Sequence, residues 1–365
     1  MNRWLVSARF DLAAFVLPAA LGVALGALQG ALAPGGATPP WAFLALVVLV
    51  DVAHVHGTTL RVYLDPEELR RRGLYLAAPV ACFAAGVALY SVSALVFWRA
   101  AAYLAVIHFV RQQVGWLRLY RRRAGDTSRP DRLLDEAAIY AATLYPLVVW
   151  HAKLPLPFSW FVDGDFLAGL PAAAARAALF PYLAILGAFA LRQAQRVLRG
   201  ERLQTGKVLL VASTAATWGL GIVVWRTDFA FTATNVLAHG VPYMAISFRV
   251  GVDRWEGARG ALRLVFRRGR FALYALALAA LAYAEEWLWD ATVWRDHAGL
   301  FPAPALELTA LHAVLVPLLA VPQLTHYTLD AFLWRMDGSN PGLARALGVE
   351  AAASVAAPAP APATA

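Results

Sequence analysis

Cysteine is almost absent: Cys82 is the only one in 365 residues, which excludes an internal disulfide framework and cysteine-based zinc sites. Cys82 lies inside an apolar run and reads as a small core residue. Charge is scarce too, at 15% Asp, Glu, Lys and Arg, where a soluble domain carries about a quarter. The active-site signatures of soluble enzymes are missing. There is no GxSxG, no Walker A motif, no GxGxxG opening a helix and no HExxH, which excludes hydrolases, ATPases and zincins of those kinds. No repeat of fixed period is present.

What the chain has in abundance is apolar sequence. Hydrophobic residues make up 60% of it, and the mean hydropathy is +0.57. Length alone suggests two soluble domains, but the apolar runs overrule that. At about 20 residues per span, hydropathy marks ten: 11–33, 41–63, 74–96, 98–120, 133–152, 175–195, 208–226, 229–250, 271–293 and 308–334. The expected fold is all-α, a polytopic transmembrane helix bundle of about ten spans. The first apolar stretch is too long for the 7–15-residue core of a signal peptide and reads as a retained helix.

The net charge of +9 follows topology and does not point to nucleic acid. With both termini cytoplasmic, the inside segments 1–10, 61–73, 118–132, 192–207, 249–270 and 335–365 hold 26 of the 32 Lys and Arg. Such a bias fixes orientation by the positive-inside rule and adds attraction to anionic lipid. The expected location is integral and multi-pass, in a bacterial inner membrane.

Connections are short, and residues 1–350 read as one integral membrane domain. In the long outer connection 153–171, Phe158, Trp160, Phe161 and Phe166 are expected at the interface as an aromatic anchor. The basic, amphipathic stretch 251–270 reads either as a helix lying on the cytoplasmic leaflet or as an ordinary loop. The Ala/Pro tail 351–365 cannot continue a helix and is expected to be disordered.

Against this apolar background four spans carry deep histidines. They are His54 and His56, His108, His239 and His326. At about 1.5 Å of rise per residue, His54 and His56 lie roughly 20 Å from the outer end, His108 and His239 about 15 Å, and His326 about 27 Å. All four helices run in the same direction. An ionisable group at this depth costs a few kcal/mol and is a functional candidate by default. Each has a polar neighbour on its own helix face: Asp51 with His54 at i, i+3, and Gln112 with His108, Asn235 with His239 and Asp330 with His326 at i, i+4. Partners of this kind fix the tautomer of a ligating imidazole.

His54 and His56 stand about 200° apart on an ideal helix, so both face one centre only if the turn at Gly57 opens. Asp51 favours His54 as the inward one. His151, His297 and His312 fall near span ends and are expected to be interfacial. Glu285 and Glu286 point about 100° apart and are placed near the interface, and the run Arg118, Arg121, Arg122 and Arg123 is placed as a solvated topology determinant.

Imidazole with carboxylate and amide oxygen, and no thiolate, suits iron, zinc, manganese or copper. The candidate ligands are His54, His56, His108, His239 and His326. Asp51 and Asp330 are ligands, catalytic groups or orienting partners, and Gln112, Asn235 and Arg111 lie beside them. One or two metal ions fit, iron foremost, with zinc as an alternative. Haem is another, needing only two axial histidines, with Arg111 on a propionate. A site buried in lipid implies a lipophilic substrate arriving through the bilayer. An oxygenase that hydroxylates would also need an electron donor. The rival class is a transporter or proton- or ion-conducting protein using the same His/Asp cluster, although no inverted repeat or paired broken helices mark one.

The segments DVAHVHG, IHFVRQQ, NVLAHG and QLTHYTLD place single histidines on separate helices near mid-membrane. In this the chain resembles the bacterioopsin-related (Brp/Blh) carotene-cleaving oxygenases. It departs from the membrane desaturase–hydroxylases, since it has neither HxxxH nor HxxHH. The resemblance covers a small part of the chain and implies an iron-dependent oxygenase acting on a lipid or isoprenoid.

Overall fold

The structure, a computed structural model, describes residues 3–71, 73–255, 260–304, 306–335 and 343–349. Ten long helices dominate it: α1 (Ala8–Ala27), α2 (Pro40–Tyr63), α3 (Gly73–Val92), α4 (Ala94–Arg123), α5 (Arg129–Lys153), α6 (Ala172–Leu198), α7 (Thr205–Trp225), α8 (Asp228–Trp255), α9 (Phe271–Trp294) and α10 (Thr309–Leu333). Among the described residues there is no strand. Local sequence sets several boundaries. Ser93 caps α4 by accepting the Val96 N–H at 3.1 Å. Ser128 caps α5 by accepting from Asp131, with proline in the first turn, as helix starts favour.

Nine of these helices are long and apolar enough to cross a membrane, the mark of a multi-pass membrane protein. The tenth, α8, is as long but less apolar, and its position explains why. Phe229 to Leu237 are buried without a break, so α8 is covered on every side by the other helices. Such a helix need not present an apolar face to lipid and can carry Thr234, Asn235 and His239 inside.

Small residues let the helices around α8 come close, as in membrane bundles generally. Gly22 and Gly26 form a GxxxG pair on α1. A Cβ on Gly22 would lie 2.5 Å from the Ala233 carbonyl oxygen. At Gly240 an added Cβ would meet Val50 Cγ1 at 2.8 Å and its carbonyl oxygen at 3.0 Å. That contact sets α2 against α8 and brings His54 to His239. Gly240→Val is expected to cost about 1–3 kcal/mol through overpacking. It should also separate the two imidazoles, which a thermal melt and the metal content of the same sample will reveal together.

Three expectations change here. Arg121 is not a solvated determinant but 4% exposed. It bonds Asp135 and reaches Asp126 at 3.0 Å. Lys207 of α7, fully buried, donates to Asp135 at 2.8 Å, and Arg192 and Arg196 of α6 reach Asp131 and Asp126. The basic end of α4 is thus pinned by carboxylates of α5 and the loop before it. Next, the aromatics of 153–171 turn inward. Phe158 and Phe166 are buried against Trp150 and Phe231, because the helix ends leave an apolar hollow that they fill. Finally, of the two readings of 251–270, the surface helix gives way: the described residues there form no continuous helix. The first residues of this stretch extend α8 to Trp255, and past the undescribed 256–259 only Leu262–Val265 is helical. Leu262 and Phe266 are buried, Phe266 against Tyr274 of α9. The tail 351–365 lies outside the described residues.

Candidate metal centre

α2, α4, α8 and α10 each deliver one histidine to a common point. One ring nitrogen from each of His54, His108, His239 and His326 lies within 4.8 Å of the other three, and all four side chains are buried. Nε2 of His239 stands 3.0 Å from Nε2 of His54, and Nε2 of His326 stands 3.2 Å from Nε2 of His108. Nitrogens bound to one ion at 2.0–2.1 Å are about 3.3 Å apart at tetrahedral angles and about 2.9 Å at right angles. The two measured separations fall in that interval.

The other face of each ring decides what the inner nitrogens carry. His326 Nδ1 lies 2.8 Å from Thr58 Oγ1, which is 2.7 Å from the Tyr243 hydroxyl. His54 Nδ1 is 3.7 Å from Asp51, and His108 Nδ1 is 3.6 Å from Asp330. Of these contacts only that of His326 is a hydrogen bond; the carboxylates stand beside His54 and His108 as charges, and Nδ1 of His54 and of His239 makes no hydrogen bond. With the proton on Nδ1, each ring turns an Nε2 lone pair inward. Converging lone pairs in a water-poor interior repel one another unless a cation sits among them. Asp330 is itself fixed by Trp334 Nε1, which donates to it at 2.6 Å. Phe109 stacks on His239 with centroids 3.5 Å apart and planes 10° apart. Trp160 in turn packs on Phe109 at 5.0 Å, closing the end of the site remote from Arg121.

No protein-family model, curated protein or solved structure matches this chain, so geometry carries the functional argument.

His56 does not join the four. The segment Ala53–Thr58 is regular α-helix between two wider i→i+5 stretches, Phe43–Val52 and Thr59–Tyr63, so Gly57 opens no turn and the two histidines point apart. His56 Nε2 meets Glu285 of α9 at 3.1 Å. Glu285 therefore faces inward, though toward His56 and not the cluster. Gln112 is buried beside His108, its amide without a hydrogen-bond partner. Asn235 does not orient His239: its amide nitrogen donates to Phe231 O at 3.1 Å. Arg111 is exposed and donates to the Tyr140 hydroxyl at 3.1 Å, pairing with neither Asp51 nor Asp330. The remaining histidines stand apart from the cluster. His151 bonds Tyr103, His297 stacks on Phe43, and His312 bonds the Thr292 carbonyl.

Sequence reasoning missed Thr58 and Tyr243. Both follow a cluster histidine by four residues, His54 and His239, and so share its helix face; that spacing was the available signal. Thr58→Val keeps the shape but removes the hydroxyl that bonds His326 Nδ1. Metal affinity is expected to fall about 10–100-fold, as measured by competition with a chromogenic chelator.

Proposed function

We propose that the chain is a membrane-embedded, non-haem iron oxygenase acting on a lipophilic, unsaturated substrate. The observation that carries this reading is the convergence of four buried imidazoles at one point, with His108 also lining a cavity of about 460 Å³ between α4 and α10. Four neutral ligands and one divalent ion leave a charge of +2. Asp51 and Asp330, beside His54 and His108, balance it without being ligands. One ion, not two, suits this donor set.

Imidazole also suits zinc and copper. Four histidines would close a tetrahedral zinc site and leave no open position. A six-coordinate ion held by the same four imidazoles would leave room for further ligands, and His108 lines the cavity. Haem suits the site less well, because two of the rings occupy the space that a macrocycle between the other two would need.

Bound iron supplies O2 activation. The protein's own residues hold the imidazoles in register, through Thr58, Asp51 and Asp330, and exclude water with Phe109 and Trp160. Adding both atoms of O2 across a C=C bond yields two carbonyl groups and needs no outside electrons, whereas hydroxylation would require a two-electron donor.

The test is elemental analysis of detergent-purified full-length protein, followed by oxygen uptake with membrane isoprenoid extracts and no reductant. About one iron per chain with substrate-dependent oxygen uptake supports the reading. A folded protein free of metal overturns it in favour of transport or proton conduction through the same cluster, and a Soret band redirects it to haem. Stoichiometric zinc without oxygen uptake would make the centre structural.

A further inference from the structure

The cavity beside His108 has a chemistry of its own. Along one stripe of α4, at i, i+3, i+4 spacing, Phe97, Ala100, Ala101 and Leu104 line an apolar groove of about 360 Å³ against α3 and α10. Leu104 also lines the cavity, where the stripe continues through His108, Gln112, Trp116 and Arg122. Leu104, one turn before His108, is thus a wall shared by the groove and the cavity. By helical rise, Gln112 lies about 6 Å beyond His108, Trp116 about 12 Å and Arg122 about 21 Å.

Two buried polar groups on this wall have no partner. Both amide atoms of Gln112, at 5% exposure, and the Trp116 indole N–H, at 1%, make no hydrogen bond. An unsatisfied buried donor or acceptor costs about 1–3 kcal/mol, so a ligand that meets them gains what the empty wall forgoes. Arg111 lies on this wall less than a turn past His108, and farther along the guanidinium groups of Arg118, Arg122 and Arg335 line the cavity; Asp330 is the one carboxylate among the described lining residues. Glu136 engages Arg118 through both oxygens at 2.9 and 3.0 Å. The cavity is thus apolar at one end, offers hydrogen bonds in the middle and is positively charged at the other.

We propose that this cavity and groove together bind an amphiphile with an anionic headgroup. The hydrocarbon chain lies in the groove and passes His108, a polar atom of the head meets Gln112 and Trp116, and the anion sits at the far end beside Arg122 and Arg335. This deepens the oxygenase reading, on which it rests for the meaning of the chain's passage beside His108. The anion is a carboxylate or phosphate, from a free single-chain acid or from a phospholipid.

Equilibrium binding to chelator-treated full-length protein in detergent tests it without turnover. The probes are tritiated palmitate, hexadecanol and dioleoyl phosphatidate. Palmitate is expected to bind at least about tenfold more tightly than hexadecanol, because charge-assisted hydrogen bonds are the stronger ones. The double variant Arg122→Gln/Arg335→Gln should bring the two within about twofold, and Gln112→Leu should weaken both about fivefold or more. Unchanged gel-filtration profiles and metal content show that these variants fold. Phosphatidate binding more tightly than palmitate makes the anion a phospholipid headgroup; weaker binding makes it a free acid. Equal affinity for palmitate and hexadecanol, or palmitate binding untouched by the double variant, overturns the proposal. Palmitate binding by a protein that purifies without metal before any chelator treatment would sink the oxygenase reading and leave this site standing.

Discussion

His108→Ala and His326→Ala chains are expected to purify with less than about a tenth of an equivalent of metal, against about one expected for the native chain. Each removes a ligand outright, and the loss should exceed the 10–100-fold that changing a supporting partner costs. The geometry adds a second expectation. His108 and His326 face each other at 3.2 Å, as do His239 and His54 at 3.0 Å, so a single ion at their meeting point would be shared by all four. Any single alanine should abolish the whole metal content, and a second should change little further. Elemental analysis of the two single variants and the double decides this. Half-occupied single variants would mean two independent centres. His56→Ala is the control: its imidazole meets Glu285, and metal content should stay near the native value.

The second large effect lies at the other end of α4. Asp135→Ala would leave Lys207, fully buried, and Arg121, nearly so, without the carboxylate they share. Removing one partner of a buried ion pair costs about 3–5 kcal/mol, because the charge left behind stays desolvated. Asp126 is a weaker substitute, 4.0 Å from the Lys207 ammonium. The variant should therefore melt well below the native protein in detergent or fail to accumulate. Asp135→Ala combined with Lys207→Met should recover part of that loss, since it removes the orphaned charge and keeps the volume. A single variant as stable as the native chain would show that water reaches the cluster.

The two results depend on different information in the chain. The four cluster histidines could be read from sequence because each sits deep in a span with polar spacing on its own face, and depth follows from counting residues. Which way His56 points could not. The i→i+5 stretches either side of Ala53–Thr58 set the rotation of α2, and Gly57 gave no sign of them. Thr58 and Tyr243 had the right spacing, but hydroxyls are common in membrane helices and only the packed neighbour gives them a role. Arg121 was hidden by its company. Beside Arg122 and Arg123 it looked like part of a topology signal, while its partners come from α5 and the loop before it. The inward turn of Phe158 and Phe166 was equally out of reach, since aromatic residues near a span end suit an interface as well as a plug. The cavity along α4 depends on how far α10 stands away, which no local pattern records.

The four imidazoles are spread from His54 to His326, with the last on the final long helix. During synthesis the first three would emerge long before the fourth, leaving an incomplete coordination set while α9 and α10 are still unmade. Loading with metal would then be a late event that reports successful insertion of the whole polypeptide, and a chain halted before α10 would be born without a cofactor.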